Sequence, residues 1–294
     1  MTRDPLIAPS DLVQSQFVFE ARGKRLCLGE CTAVMGVINV TPDSFFGKSR
    51  KTAPEHAVAS ALEMVEAGAS IIDLGAESTR PGARPVPANE EIRRLSPVLI
   101  ELRRLTNALI SIDTSKSEVA EVALDLGADI VNDVTSLRGE PRMAEIVARS
   151  RSGLVLMHMN GDPETMQRDP VYGDVVGEIR DFLSDAVARA ERAGITSDSI
   201  LVDPGIGFGK TAAHNLQILN RLDQLALLGK PILVGTSRKT FIGKVLDLPP
   251  EDRLHGTAAT VAASRPPPAP ASCRRAPSPT RSAPMRAAAR GSRK

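Results

Sequence analysis

Seven short apolar runs, each ending on a polar or charged residue, constrain this chain more than any other feature. Val34 to Ile38 runs into Asn39, and Ile71 with Ile72 into Asp73. Ala108 to Ile112 ends on Asp113, and Ile130 with Val131 on Asn132 and Asp133. Leu154 to Met157 ends on His158, Ile200 to Val202 on Asp203, and Ile232 to Val234 on Gly235, Thr236 and Ser237. Strands of a parallel sheet are covered on both faces, so they read as continuous apolar runs. Helical periodicity fills the intervals, at 57–67, 90–105, 118–126, 143–148, 175–192 and 213–222. Gly68, Gly127 and Gly194 follow three of these as helix stops. Repeated strand–helix units predict an α/β fold, a (β/α)8 TIM barrel. In such a barrel the chemistry sits at the carboxyl ends of the strands. An eighth run never comes, so the expected barrel lacks its eighth strand and helix.

The chain divides into three parts. Residues 1–33 read as a loose leader followed by a hairpin, Phe17 to Glu20 and Leu26 to Leu28 around Arg22-Gly23-Lys24, placed to plug the barrel floor. Residues 34–263 form the barrel. Residues 264–294 carry seven Pro, seven Arg, one Lys, no acid and none of Val, Ile, Leu or Phe. That composition can supply neither a buried strand nor, through Pro284, a helix, and it predicts a disordered basic tail. Such residues are also what a GC-rich coding region yields when read out of frame.

The net charge of +2 is therefore an average over unlike parts. Removing the tail's eight basic residues from the 37 Lys and Arg leaves 29 against 35 acids, so the body carries −6. A mildly acidic body without a basic, aromatic-laced face argues against nucleic acid as a partner. Three Cys give neither a disulfide framework nor zinc spacing, which suits a reduced, cytoplasmic chain. No run approaches the ~18 apolar residues of a membrane helix, so no membrane partner is expected.

The strand tips carry the chemistry. Asn39 opens GVINVTPDSFF, where its amide can hold a metal or phosphate oxygen or merely cap a turn. GAESTRPGA places Thr79 and Arg80 beyond the second strand, and the planar Arg fork suits phosphate or carboxylate. Asp113, Asn132 and Asp203 project from three different strands. Singly each could cap the next helix; together they suit a flat heterocycle with several N–H donors, with Lys239 as a nearby cation. VGTSRKTFIG sets Ser237, Arg238 and Lys239 at a helix start, favourable to an anion. DPGIGFGKT is not a P-loop, because three residues rather than four separate Gly205 from Gly209. His158 lacks a partner at ligand spacing and reads as a buried rim histidine.

With these residues assembled, the chain resembles the dihydropteroate synthase family of folate biosynthesis. The likeness runs from about Val34 to Ala262 and covers INVTPDSF, ESTRPGA, SIDTSK, NDV, DPGIGFGK and SRKTFIG in order. It implies a transferase that joins 6-hydroxymethyl-7,8-dihydropterin diphosphate to 4-aminobenzoate and releases diphosphate, with sulfonamides as competitors. Carried over by position, Asn39 would hold Mg²⁺ on the diphosphate. Asp113, Asn132, Asp203 and Lys239 would bind the pterin. Thr79, Arg80 and Ser237 would contact diphosphate and aminobenzoate. Asp43, with Arg80 and Lys239, would form the catalytic set, Asp43 on the first loop. The resemblance also implies a homodimer.

Two departures qualify it. The first loop reads DSFFGKSR where the family usually has DSFSDGG, and Phe46, Lys48 and Arg50 resemble sulfonamide-insensitive members. The family's closing Arg-x-His strand is replaced by the tail, which leaves unpaired edges and two lost phosphate contacts of about 1.5–3 kcal/mol each. The expectation is a chain that is unstable or nearly inactive, despite its pocket. Two other readings share the pocket: a pterin-binding pseudoenzyme, and the pterin-binding domain of a folate-dependent methyltransferase.

Overall fold

Apolar runs become strands here because each is buried from two sides, by helices without and by the lumen within. The computed structural model describes residues 17–29, 32–40, 53–77, 85–161, 166 and 169–264. A hairpin comes first, β1 (Phe17–Ala21) against β2 (Lys24–Leu28), with Phe17 opposite Leu28. Six parallel strands follow in sequence order: β3 (Met35–Asn39), β4 (Ile71–Gly75), β5 (Leu109–Asp113), β6 (Ile130–Asp133), β7 (Gly153–Met157) and β8 (Ile200–Asp203). Helices α1 (Ala53–Glu66), α2 (Ala88–Leu105), α3 (Ser117–Asp125), α4 (Arg142–Ser150) and α5 (Val175–Arg192) connect them. After β8 come α6 (Ala212–Asn220), α7 (Asp223–Ala226), α8 (Thr240–Leu246) and α9 (Leu254–Ala263).

The helices form where their apolar spacing and end charges agree. Along α2 the buried positions Leu95, Val98, Leu99 and Leu102 make one stripe. Its Glu90 and Glu91 lie in the first turn and Arg103 and Arg104 in the last, matching the helix dipole. In α6 the Thr211 hydroxyl caps His214 N–H while the His214 ring accepts from Thr211 N–H. Gly68, Gly127 and Gly194 take φ of +104°, +104° and +92°, as expected of helix stops.

Alternation along the strands sorts the interior into two cores. Ile72, Leu74, Ile110, Ile112, Val131, Leu154, Leu156, Ile200 and Val202 face the helices. Ile71, Leu109, Ile130, Val155 and Leu201 face the lumen and pack on Phe19 and Ala21 of the hairpin. The hairpin is thus the floor of the barrel. Asp129 pins it there, taking Lys24 Nζ at 3.0 Å, Arg103 Nη1 at 2.9 Å and Ile110 N–H at 2.9 Å. Gly153 admits Phe19: a Cβ at this glycine would lie too close to Phe19 Cζ to stand.

Two strand expectations are corrected. The second run does not stop at Asp73; β4 continues to Gly75, so Asp73 lies mid-strand in the lumen. The seventh run, Ile232 to Val234, forms no full strand. It makes one parallel bridge, Val202 with Ile232, through Val202 N–H to Pro231 O at 3.0 Å and Leu233 N–H to Val202 O at 2.8 Å. Pro231 has no N–H, and the chain turns away at Gly235 into α8. Helix α9 was not anticipated at all. Among the described residues β3 has no strand on its outer side, and Val37, on the lumen face, remains 48% exposed. The leader (1–16) and the tail from 265 onward lie outside the described residues. No described helix is long and apolar enough to cross a membrane.

Gly153→Ala should cost about 1–3 kcal/mol, because the added methyl must displace Phe19 from the floor. A urea titration reads this as a lower midpoint. Gly173→Ala, whose methyl meets only an ordinary 3.6 Å contact with Glu178 Oε1, should move it much less.

Candidate functional site

The strand register builds the site in layers. Asn39, Gly75, Asp113 and Asn132 are consecutive neighbours across β3 to β6, so their side chains share the lumen face at one height. Val37, Asp73 and Ser111 form the layer below. Asp203 pairs with Met157 above the Val155–Leu201 pair, at the rim. Gly75 leaves room between neighbours: a Cβ there would touch the Asp113 carboxyl at 3.5 Å.

Four of the expected residues therefore converge. Asn132 Nδ2 donates down to Asp73 Oδ2 at 3.2 Å. Asp113 is held well above the usual carboxylate range, first by burial and then by the charges of Asp73, Glu91, Asp133 and Glu77. Burial raises Asp203 too, opposed by its acceptance of Gly205 N–H at 2.6 Å and by Lys239 and Lys210. Lys239 lies over the Phe208 ring at 4.2 Å and donates to Ile206 O at 2.8 Å. Burial lowers its ammonium, while Asp203 and Asp113 oppose that. Lys239 makes no direct ion pair with either carboxylate. A lumen lined by two raised carboxyls and one partly desolvated cation favours a ligand that brings N–H donors and positive character.

The loop after β8 is locked by its own glycines. Gly205 takes φ +66°, and a side chain there would collide with His158 O. Gly207 N–H donates to Asn215 Oδ1 at 2.8 Å and Tyr172 Oη to Gly209 O at 2.9 Å. Lys210, only 4% exposed, donates to Phe208 O at 2.8 Å and meets His158 Nδ1 at 3.0 Å. Burial pushes Lys210 down to about 7. Burial and the Lys210 charge push His158 down to about 3, so its ring is a neutral acceptor. His158 sits edge-on to Phe182 with centroids 4.9 Å apart, a rim histidine as expected.

Ser237 is exposed beside Lys239, which stands at the residue before α8. Arg238 is tied down by its N–H to Thr257 Oγ1 at 2.9 Å. Asp133, the neighbour of Asn132, faces away and caps its own turn through Thr135 and Leu137 N–H. Asp43, Thr79 and Arg80 lie outside the described residues, as do Phe46, Lys48 and Arg50. The stem that leads to Thr79 is described: Glu77 accepts from Lys116 and from Val86 N–H at 3.3 Å, and Lys116 also bridges to buried Glu91. Among the described residues no three His, Cys, Asp or Glu side chains form a metal cluster.

Sequence reasoning passed over Asp73, Lys210 and the Lys116–Glu91 pair. Asp73 was hidden by its place at the apparent end of an apolar run. Lys210 was visible only as part of a glycine-rich motif that failed as a phosphate loop.

Comparison with known proteins agrees with this geometry. Residues 35–266 match the family described as pterin binding enzyme. The dihydropteroate synthase of Synechocystis sp. is 46% identical over 233 residues, 79% of this chain and 81% of that protein. Xanthomonas albilineans dihydropteroate synthase with 4-aminobenzoic acid superposes with a TM-score of 0.80 at 43% identity, over 85% of this chain and 89% of that one. The same enzyme in complex with 7,8-dihydropteroate gives a TM-score of 0.75 at 39% identity, over 84% and 88%.

On acidification the unfolded chain protonates His158 near 6.5, whereas the folded chain resists until about 3. The unfolded state then binds more protons across this window, so His158 contributes stability in full above 6.5 and loses it as pH falls toward 3. Ring-nitrogen NMR should show His158 neutral at pH 5.

Proposed function

The chain belongs to the pterin-binding enzyme family, and on that footing we propose that it catalyses the dihydropteroate synthase reaction. It condenses 6-hydroxymethyl-7,8-dihydropterin diphosphate with 4-aminobenzoate, giving 7,8-dihydropteroate and diphosphate. One observation carries this: Asn39, Asp113, Asn132, Asp203 and Lys239 meet over one lumen in a fold whose solved counterparts hold 4-aminobenzoic acid and 7,8-dihydropteroate.

In this reading Asp113, Asn132 and Asp203 hold the N–H edge of the pterin, and Phe208 with Lys239 walls its other side. The C–O bond at the pterin methylene breaks and its electron pair leaves with diphosphate. Positive character grows on the pterin. Carboxyls that are raised when empty gain most from it, so they bind this state better than the ground state. The amine nitrogen of 4-aminobenzoate then forms the new C–N bond and loses a proton. The carboxylate of the aminobenzoate stays intact as a handle near Ser237. Thr79 and Arg80 contact the diphosphate, Asp43 belongs to the first loop, and Arg80 and Lys239 counter the negative charge that develops on the leaving group.

Asn39 offers one neutral oxygen at the rim. That fits Mg²⁺ carried in on phosphate oxygens, and not a dedicated all-protein site. When bound, the ion neutralises charge on the departing diphosphate. The reaction is assigned to the cytoplasm, and the substrates are the partners.

The test is aminobenzoate-dependent diphosphate release by the full chain, with pterin binding followed by calorimetry. Release confirms the reading. Binding without release identifies a pterin-binding protein that does not turn over, and overturns the catalytic reading; absence of both binding and release overturns the assignment altogether. Asp203→Asn should raise KM for the pterin about 10–100-fold, the worth of one charge-assisted hydrogen bond, and leave KM for 4-aminobenzoate nearly unchanged. Chelation by EDTA should abolish release, and Mg²⁺ should restore it.

A further inference from the structure

Asp73 is a buried carboxyl that the reaction as described does not use. It is 3% exposed, mid-way along β4, one layer below the pocket. Its Oδ2 accepts Asn132 Nδ2–H at 3.2 Å, and its Oδ1 has no hydrogen-bond partner. Ser111, its register partner on β5, has a buried Oγ near enough to favour the charged carboxyl, though neither it nor Oδ1 closes a hydrogen bond of good geometry. Burying a carboxyl this way is costly, and apolar residues fill the lumen-facing positions nearby at Val37 and Ile130. A polar group kept at such a cost calls for a functional explanation.

The bond to Asn132 supplies one. An Asn amide has a donor end and an acceptor end, and a free one can turn either toward a ligand. Asp73 Oδ2 takes the Asn132 Nδ2–H, which turns that end of the amide downward and leaves Oδ1 on the side of the pocket. We propose that Asp73 is a positioning residue for the pterin pocket: it fixes the Asn132 amide so that Oδ1 faces the ligand and the pocket takes an N–H donor there. The proposal rests on the assignment of a pterin substrate. It concerns how the pocket is set, and Asp73 itself touches no reacting atom.

The reading also explains why the layer below the pocket is polar. Ser111 and Asp73 Oδ1 flank the same amide from the floor side, so the support under Asn132 carries acceptors and no competing fixed donor except a rotatable hydroxyl. A Leu or Val at position 73 would bury no polar group, but would leave the Asn132 amide without its acceptor.

Calorimetry of 6-hydroxymethyl-7,8-dihydropterin diphosphate binding tests this on the full chain. Asp73→Leu removes the acceptor and adds bulk; the Kd should rise about tenfold, while KM for 4-aminobenzoate and kcat stay within about twofold. Asp73→Asn can still present an oxygen to Asn132, and its Kd should stay within about threefold of the unsubstituted chain. In an Asn132→Ala background, Asp73→Leu should have almost no further effect, because the two act as one unit. Equal Kd for Asp73→Leu and the unsubstituted chain overturns the proposal. So does an Asp73→Asn variant as weak as Asp73→Leu, or a tenfold effect that persists without Asn132. If Asp73→Leu fails to fold, the Asp73→Asn and Asn132→Ala comparison still decides: Asp73→Asn binding as weakly as Asn132→Ala overturns it. Failure of the unsubstituted chain to bind the pterin is a separate result, and it removes the assignment of function on which the proposal stands.

Discussion

Side-chain alternation along six parallel strands in fixed register is the constraint on which everything else rests. Slipping one strand by a single residue would turn Asp113 or Asn132 toward the helices and bring Ile112 or Val131 into the pocket. The register is held because each strand has an apolar set that only one arrangement buries. The helix-facing Ile, Leu and Val side chains each contribute about 1.5–3 kcal/mol on burial, far more than the polar lumen costs. The pocket is thus paid for by the face that never meets a ligand.

Inside the lumen, electrostatics divides labour by height. Apolar residues and Phe19 close the floor, Asp73 and Ser111 form a polar middle, and Asn39, Asp113, Asn132 and Asp203 line the top. Carboxyls outnumber cations in reach, and Lys239 and Lys210 donate to carbonyl oxygens and make no direct ion pair with the carboxyls. The lumen's own side chains are therefore short of positive charge and of N–H donors. That imbalance is stored in the fold and relieved by a ligand of the complementary kind, which is what a site built for a cation-like transition state requires.

Much of this was legible beforehand, and the exceptions have physical reasons. The runs at Ile110–Ile112 and Ile200–Val202 could be read as strands because both of their faces are buried. Asp113, Asn132 and Asp203 could be read as rim residues because the apolar run stops where the lumen opens. Asp73 could not, since a run that breaks mid-strand looks the same as one that ends. The run at Ile232–Val234 misled because apolar content reports burial, and burial at a sheet edge needs only one hydrogen-bonded neighbour. Helix α9, with LHGTAATVAA, has no apolar stripe; its helicity comes from alanine and not from amphipathic spacing. Lys210 and Lys116 were missed because nothing in a linear sequence shows which lysines are enclosed.

The hairpin at the floor has a consequence for how the protein is made. Phe19 and Lys24 leave the ribosome early, but Asp129, which pins Lys24, lies 105 residues further on. At ordinary rates of synthesis the wait is on the order of ten seconds. Until β4 and β5 follow, the hairpin's apolar side lacks the Ile71 and Leu109 it rests on, and the nascent chain is a client for whatever shields exposed hydrophobic surface in the cell. The base of the barrel is the first part translated and among the last to be seated.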